Sequence, residues 1–450
     1  MVAVTEQHSN SYLSDYQAIT TSRDGDSPGW LRSIRDLAIT RFDHLGLPTN
    51  KHEQWRFTNA NRIADTTFKL ADTMDLNVRD RDVAKFAIPQ LVGPRLVFVN
   101  GRFHPKLSSI GELRGNADIM DLPTAIRKNH SHVEPHLARY ANFQDEAFTA
   151  LNTAFLSDGA FIYVPRGDVV NEPIHLLFIA VPGDEQLAMH PRNLIVTEAD
   201  THATIIEDYV SLVESDDGNF TNAVTEIVVG ENARVNHYLL ERENDHAFNV
   251  STLRVQQQEN SNFESHSALL GASLVRNNIH PLLNGSGCEL MLNGLYVANG
   301  RQHVDNYMRV EHAKPRCNSR QFYTGVLDDH AKAVFTGRIV VAKDAQKTDA
   351  KQSNMNLLLS EDAQINTQPQ LEIYADDVKC THGSTIGQID EDAVYYLRSR
   401  GIGELQAEKM LVHAFASQCL DRMENKPVCD LIQANLNNQL EANRLSTLTC

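Results

Sequence analysis

A short run near residue 380 places a thiol and an imidazole two positions apart. In residues 376–383, Cys380 and His382 lie on either side of one threonine. Side chains alternate along a strand, so in a strand both groups would project from the same face. A thiolate beside an imidazole is a two-ligand set for Fe(II), Zn(II) or a nascent iron–sulfur cluster. Lys379 and His382 could also lower the pKa of the thiol and make it a sulfur acceptor.

A plainer interpretation of this run stays open, because one Cys-x-His spacing is a weak signal. Spacing alone favours a small buried cysteine beside a surface histidine. A looser set of thiols and imidazoles is expected by coincidence among 19 histidines, so packing or turn roles are favoured for it. Its members are Cys288, His303, His312 and Cys317. The acid pairs Asp328 with Asp329 and Glu361 with Asp362 lie in predicted turns, where solvated acids are expected rather than an acid–base pair.

The signatures of common enzymes are absent from the sequence. It contains no Gly-Lys dipeptide, which excludes a P-loop, and no dinucleotide fingerprint, G-x-S-x-G elbow or H-E-x-x-H motif. The six cysteines form no C-x-x-C pair, so neither a disulfide framework nor a self-contained zinc or iron–sulfur site is predicted. If metal or sulfur chemistry occurs here, we expect other chains to supply some of the ligands.

The composition is that of an acidic globular protein. Its 450 residues suffice for two or three ordinary domains, and the 42% that are hydrophobic support a sizeable core. The formal net charge of −17 argues against nucleic acid as a partner, because a phosphate backbone requires a basic surface. No run approaches the roughly 18 apolar residues of a spanning helix, and the first residues show no secretory signal. We therefore expect a cytoplasmic protein without a membrane partner.

The pattern of apolar and polar residues changes along the chain, and the first part of the chain is predicted to be mostly helical. A flexible N-terminus at 1–27 precedes an N-terminal helical and mixed domain at 28–157. Apolar residues near a 3.6-residue period predict a helix at 30–45. A second helical stretch is predicted at 137–155, and 95–99 is predicted to be a strand.

Residues 158–389 lose the helical period and are predicted to form a β core. A recurring turn followed by an alternating strand appears at a spacing of roughly 30 residues or a multiple of it. Many strands without helical crossovers fit a β-solenoid, a β-sandwich pair or a propeller, and patches of Asn and Gln suit a solenoid, where amides bond between rungs. The clearest strands are 161–164, 175–181, 193–196, 224–229, 290–297, 333–341 and 370–375.

Residues 390–450 are predicted to form a C-terminal helical domain. Asp390 is a candidate N-cap and Gly401 a candidate C′ residue of the first helix, at 391–398. Two more helices are expected, beginning near residues 404 and 429.

The second of these helices carries an apolar stripe, part of which is expected to pack on the solenoid end, because solenoids need capping. Aromatic and arginine residues just before the stripe are types that anchor interfaces, so a cap that also docks a partner is equally open. The candidate docking residues are Tyr396, Leu397, Arg398, Arg400, Leu411 and Phe415.

The sequence also resembles a known family, and the resemblance extends over nearly the whole chain from about residue 28. Residues 371–390 read LEIYADDVKCTHGSTIGQID and lead on to YLRSRGI at 396–402, which looks like the C-terminal signature of the SufB/SufD family of iron–sulfur cluster assembly. Further similar runs are 53–58, 152–166, 335–339 and 351–359. The equivalent stretch of SufB looks more like V-E-H-E-A-x-T-S-K, so the resemblance is to the SufD branch.

The resemblance implies a mainly β fold, a right-handed parallel β-helix flanked by helical domains. It implies a non-catalytic subunit of the SufBCD complex that pairs with SufB through the β-helix and binds the SufC ATPase through the C-terminal helices. Iron or a nascent cluster would be held transiently in a site shared with SufB, with His382 and Cys380 as candidate ligands. ATP would be bound by SufC, no cofactor would be bound permanently, and the isolated chain could form a homodimer.

Two rival hypotheses remain at this stage. One is a β-helix enzyme acting on polysaccharide, against which the missing secretory signal and the C-terminal helical module count. The other is a purely structural partner, in which all cluster ligands belong to SufB.

Overall fold

The structure is a computed structural model that describes residues 12–18, 20, 27–71, 78–111, 115–128, 130–181, 183, 185–213 and 218–447, with side chains up to residue 440. Most of the predicted flexible segment 1–27 lies outside the described residues. Within it, Tyr12 and Tyr16 are buried against the ring of Phe155. No helix in the described ranges is both long and apolar enough to cross a bilayer.

Strands dominate the described chain between residues 160 and 387. They are β1 (Lys69–Leu70), β2 (Arg95–Val99), β3 (Arg102–Phe103), β4 (Asp118–Asp121), β5 (Ala160–Val164), β6 (Ile174–Ala180), β7 (Leu187–Met189), β8 (Arg192–Thr197), β9 (His202–Ser211), β10 (Phe220–Val229), β11 (Arg234–Arg242), β12 (Phe248–Gln257), β13 (Asn262–Leu269), β14 (Leu274–Leu283), β15 (Glu289–Ala298), β16 (His303–His312), β17 (Asn318–Leu327), β18 (Lys332–Val341), β19 (Asp349–Leu358), β20 (Gln364–Ile373) and β21 (Lys379–Gly387). The strands predicted from alternation are confirmed.

Helices lie on either side of this strand-rich part in the sequence. They are α1 (Gly29–Leu45), α2 (Asn61–Ala64), α3 (Asp80–Val83), α4 (Leu122–Arg127), α5 (Ala147–Ala154), α6 (Glu391–Ser399), α7 (Glu404–Leu420) and α8 (Lys426–Thr447), with 3-10 turns at Glu53–Trp55 and Ala84–Phe86. The caps predicted for α6 are confirmed, since the Asp390 carboxylate accepts from two backbone N–H groups of its first turn and Gly401 has φ +86°.

The second helical stretch, predicted at 137–155, is wrong over its first half. Only α5 is helical there, and the residues before it form successive turns. The cause is a distant carboxylate, because Glu226 accepts hydrogen bonds from the backbone N–H groups of Ala138, Tyr140 and Ala141. Those N–H groups are thereby satisfied without a helix.

The strands build a parallel β-solenoid of two facing sheets, so the predicted mainly β fold class is confirmed. Sheet A has the order β20-β18-β16-β14-β12-β10-β8-β5-β4, with β1 and β7 beside it, and sheet B has the order β21-β19-β17-β15-β13-β11-β9-β6-β2-β3. One turn of the coil takes 26 residues where Phe248 pairs with Leu274, and 32 where Lys332 pairs with Gln364. This variation explains why the repeat is loose in the sequence.

The interior of the solenoid is filled by every second side chain of each strand. Most of these are aliphatic or aromatic and form one continuous core cluster, to which Tyr323 and Phe335 belong. Amides join neighbouring turns inside this core. Gln352 donates to Gln321 at 2.9 Å, which bears out the predicted bonding of stacked amides between rungs.

The outer face of each sheet is covered by a different helical segment. α1 packs on α5, and their aromatic side chains join Phe220 and Phe248 of sheet A in one cluster. On the other side, Val412, Ala416 and Cys419 of α7 pack on the outer face of sheet B. The two helical segments therefore enclose the solenoid from opposite faces.

The expectation that the C-terminal stripe caps the solenoid end is wrong. α7 contacts β15 and β17, which are inner strands of sheet B, and Leu405 and Met410 of the stripe are exposed. The buried positions of α7 are instead those that face the flat surface of sheet B, such as Ala407 and Val412.

The two ends of the solenoid are built differently. At the first end, β3 pairs with β2 and β4 pairs with β5 in antiparallel fashion, which ends the parallel stacking. At the last end, β20 pairs with β18 and β21 pairs with β19, and neither has a second partner among the described strands. The residues of β21 are almost all exposed. The last rung therefore leaves a parallel edge open on each sheet.

Candidate functional site

Cys380 and His382 lie on β21, the terminal strand of sheet B, as the alternating pattern predicts. Cys380 is in register with Ala350 and His382 with Gln352, both of which are buried in the solenoid interior. Side chains in register on neighbouring strands share a face, so the two candidate ligands project toward the interior side of the last rung. Because that rung has no successor, this interior side is open at its end.

The Cys380 thiol is half-buried against the core of the solenoid. Burial raises its pKa, a hydrogen bond with the backbone of Ala350 opposes this, and the Asp349 carboxylate raises it further. The predicted lowering by Lys379 and His382 is therefore wrong in direction. Lys379 is one position away along the strand, so its side chain points to the opposite face. A thiol that keeps its proton binds a metal ion only by releasing that proton.

The surroundings of His382 leave room for further groups. His382 is exposed, and a Cβ atom added at the neighbouring Gly383 would meet nothing within 4 Å. In the part of the chain that the structure describes, no three His, Cys, Asp or Glu side chains form a group that could hold a metal ion. Cys380 and His382 thus supply at most two ligands.

The structure brings only some members of the looser set of thiols and imidazoles together. The thiols of Cys288 and Cys317, on successive turns, both donate to the carbonyl of Gly285, at 3.1 and 3.2 Å. His312 bonds to a serine hydroxyl inside the core, and His303 is hydrogen-bonded to Thr58 outside sheet A. Only the two cysteines are therefore brought into contact.

The predicted turn acids lie at the corner of the solenoid that precedes sheet A. Asp329 accepts a hydrogen bond from the backbone N–H of Gly300 at 3.1 Å, and Asp362 pairs with His330 at 3.5 Å between exposed side chains. Both contacts connect one turn of the coil with the next.

The candidate docking residues of the C-terminal helices form a partly exposed surface. Tyr396 is 56% exposed, and the guanidinium of Arg400 lies over its ring at 5.0 Å. Arg398 pairs with Glu404 at 3.4 Å and thereby joins α6 to α7. The remaining three candidates are half-buried: Leu397, Leu411 and Phe415.

Fold and site together define a β-solenoid protein that presents an incomplete Cys–His pair at an open sheet edge. Comparison with known proteins gives the family. The chain matches the model of the SUF system FeS cluster assembly, SufBD core domain over residues 179–415, and that of the SufBD protein N-terminal region over residues 6–176. The chain therefore belongs to the SufB/SufD family of SUF-system iron–sulfur cluster assembly, which confirms the predicted resemblance.

Individual relatives agree with this assignment. The chain is 35% identical to the iron–sulfur cluster assembly protein SufD of Escherichia coli, over 88% of this chain and 90% of the relative. It is 34% identical to an iron–sulfur cluster assembly SufBD family protein of Synechocystis, over 89% of each. The SufD protein of Bacillus subtilis is 28% identical over 88% of this chain and 91% of its own length.

Proposed function

We propose that this chain is a non-catalytic scaffold subunit for iron–sulfur cluster assembly, which pairs with SufB and binds the SufC ATPase. Its role is to contribute to iron acquisition and to de novo cluster formation at the SufB–SufD interface. The observation that carries this proposal is the open last rung, which presents Cys380 and His382 at an unpaired sheet edge.

The unpaired edges of β20 and β21 support pairing with a second solenoid. An open edge presents a row of backbone donors and acceptors to which another strand can add. Apolar side chains lie exposed at the same end, with Tyr374 64% and Ile386 51% accessible. The last rung of a similar solenoid would fit this edge, because it has the same strand repeat and the same row of backbone donors and acceptors. We assign that role to SufB.

The Cys–His pair supports a shared site for the cargo. Iron or a nascent cluster needs more ligands than Cys380 and His382 provide. Ligands from SufB would complete the set once the two edges meet. The imidazole of His382 binds iron in its neutral form, and Cys380 binds after losing its proton, so occupancy should increase with pH.

The C-terminal helices support a docking role for SufC. Tyr396, Arg400 and their neighbours on α6 combine exposed aromatic and arginine groups, the types that dominate interface energetics. α7 rests on β15 and β17 of sheet B. A movement imposed on these helices by ATP binding to SufC would therefore act directly on the sheet that carries β21.

The site assignment is tested by His382→Ala in the complex co-expressed with SufB and SufC. Folding and co-purification should persist while iron uptake and cluster assembly fall. His246→Ala is the matched control, because His246 is an exposed histidine in a distant turn. Normal assembly by the His382 variant would contradict the assignment. An iron titration of SufB–SufC with and without this chain then separates a shared site from one built by SufB alone.

The pairing surface is tested by Ile386→Asp, which adds a charge at the open edge. We expect loss of SufB from the purified complex while SufC remains bound. Val213→Asp is the control, since Val213 is similarly exposed (49%) outside both helical segments. Retention of SufB by the Ile386 variant would refute pairing through the last rung.

A further inference from the structure

A groove of about 440 Å³ lies outside sheet A, where the solenoid turns into β16, β18 and β20. The α2 segment forms its other wall. Its lining is dominated by groups that are or can become cationic, and one carboxylate faces them. The charged and titratable lining residues are Arg62, Arg301, His303, His330, Lys332 and Asp362.

The solenoid repeat arranges four of these groups in two columns. His303 and Lys332 are in register as the first residues of β16 and β18. Arg301 and His330 each precede those positions by two residues, and the backbone N–H of His330 donates to the carbonyl of Gly300 at 3.0 Å. Neighbouring strands lie about 4.8 Å apart. Each column therefore places two basic groups one rung from each other.

Arg301 and Lys332 are the two permanent cations of these columns, and they belong to successive rungs. Burial lowers the pKa of the His303 imidazole beside Lys332 and so favours its neutral form. Among the described residues, neither Arg301 nor Lys332 forms an ion pair, although the chain has a formal net charge of −17. Asp362 is 3.5 Å from His330 and offsets only that one group. A bound anion would supply the negative charge that Arg301 and Lys332 lack among the described residues.

The wall opposite the columns is held in place by specific contacts. Arg62 donates to the hydroxyl of Ser273, and its guanidinium lies 5.5 Å from the ring centroid of Phe248. The hydroxyl of Thr58 donates to the Asp305 carboxylate and lies 3.0 Å from Nε2 of His303, so Nε2 donates to this hydroxyl and Nδ1 of the neutral ring is an acceptor. The groove thus combines a wall held by the contacts of Arg62 with two cationic side chains, Arg301 and Lys332.

We propose that this groove binds a small phosphate-type anion, with Arg301 and Lys332 as its principal cationic contacts and Arg62 as a fixed donor. Arginine and lysine together suit phosphate oxygens, because the guanidinium can bind two oxygens at once and the ammonium adds a compact charge. The anion is either an inorganic phosphate or the phosphate group of a nucleotide. The binding mode requires no base-specific contact, so both sources share the same site chemistry.

Isothermal titration of the full chain at low ionic strength tests the site, with inorganic pyrophosphate as the first probe and ADP as the second. Arg301→Gln/Lys332→Gln should weaken pyrophosphate binding by about tenfold or more, the loss expected when charged hydrogen bonds are removed. Tighter binding of ADP than of pyrophosphate would identify a nucleotide as the ligand, and the reverse order would identify an inorganic phosphate.

Lys314→Gln/Arg316→Gln is the matched control, because it removes the same two charges at exposed positions outside the groove. It should bind pyrophosphate as the unmodified chain does. Equal weakening in both double variants would reduce the effect to net charge and overturn the proposal. Absence of saturable binding up to about 10 mM pyrophosphate, well above a millimolar dissociation constant, would also overturn it. Circular dichroism of both variants establishes that each is folded.

Discussion

The first turns of the solenoid bury their charges, whereas the last turns leave theirs at the surface. Arg192 and Glu226 are fully buried and paired at 2.7 Å, and Arg192 also donates to Asn152 and Thr153. Near the last rung, Arg338 pairs with Glu372 at 2.6 Å with about a third of each side chain exposed. The difference indicates that the first turns depend on fully buried, paired charges, whereas the charged groups of the last rung are accessible from outside.

A second buried group supports the same contrast. Asp208 is fully buried on the outer side of β9, where burial alone would raise its pKa. Arg242 and His175 more than reverse this effect, so the pKa of Asp208 is lowered and its carboxylate stays ionised. Buried charges of this kind are tolerated only with full pairing. Removing one partner of a buried charge should therefore lower the free energy of unfolding far more than removing one partner of an ion pair at the last rung.

The largest expected effect comes from Arg192→Met. It leaves the Glu226 carboxylate buried without its cation, which should lower the free energy of unfolding by about 3–5 kcal/mol. Arg338→Met removes a half-exposed pair and should cost about 0–1 kcal/mol. Urea unfolding followed by circular dichroism measures both. Equal urea midpoints for the two variants would contradict the proposed difference between the two ends of the solenoid.

A smaller effect is expected from adding one methyl group in the middle or at the end of the solenoid. Gly325 lies inside the core, where a Cβ atom would collide with the ring of Tyr296. Gly325→Ala should therefore cost about 1–3 kcal/mol through overpacking. Gly387 on β21 has nothing within 4 Å of such an atom, so Gly387→Ala should change stability by less than about 0.5 kcal/mol. Thermal melting of the two variants gives the comparison, and a neutral Gly325→Ala would show that the interior is loosely packed.

The third effect is a pH dependence carried by two buried acids, Glu241 and Glu243. Burial, together with repulsion between the two carboxylates in the case of Glu241, raises their pKa values above the ordinary 4.5. The folded state then holds protons that the unfolded state has released, so stability falls as pH rises from about 4.5 through the raised folded-state pKa values. Each unit by which a folded-state pKa exceeds its ordinary value corresponds to about 1.4 kcal/mol of this fall.

Urea midpoints measured between about pH 5 and about pH 8 test this dependence. Glu243→Gln removes one of the two titrating groups and should make the fall shallower. Glu361→Gln is the control, because Glu361 is an exposed acid in the turn before β20. An unchanged slope in the Glu243 variant would assign the pH dependence to other groups.

Much of the fold follows from local pattern. Alternation along 161–164 and 333–341 predicts strands that the structure contains, and the Asp390 cap follows from its own first turn. The turns at Ala138 and Tyr140 could not be predicted, because their backbone donors are satisfied by Glu226, some 86 residues away along the chain. The spacing of apolar residues near these turns gives no indication of that contact.

The candidate site could likewise be predicted only where it follows from the local sequence pattern. Alternation alone brings Cys380 and His382 to one face, whereas the open edge beside them depends on which strand comes last in sheet B. The basic groove could not be predicted, because the length of a coil turn varies from 26 residues, between Phe248 and Leu274, to 33, between Phe161 and Leu194. A fixed period does not align Arg301 with His330. The one signal was a basic residue at the same offset before each of two successive strands.

The difference between the two ends also limits how far such chains can assemble. The short antiparallel strands β3 and β4 end the parallel stack on one side, so in the described chain only β20 and β21 offer a long parallel edge. With respect to rung stacking, the molecule is monovalent. When two monovalent solenoids join through their last rungs, no long parallel edge remains, and the product is a closed pair. Stacks that are open at both ends polymerise instead into fibres.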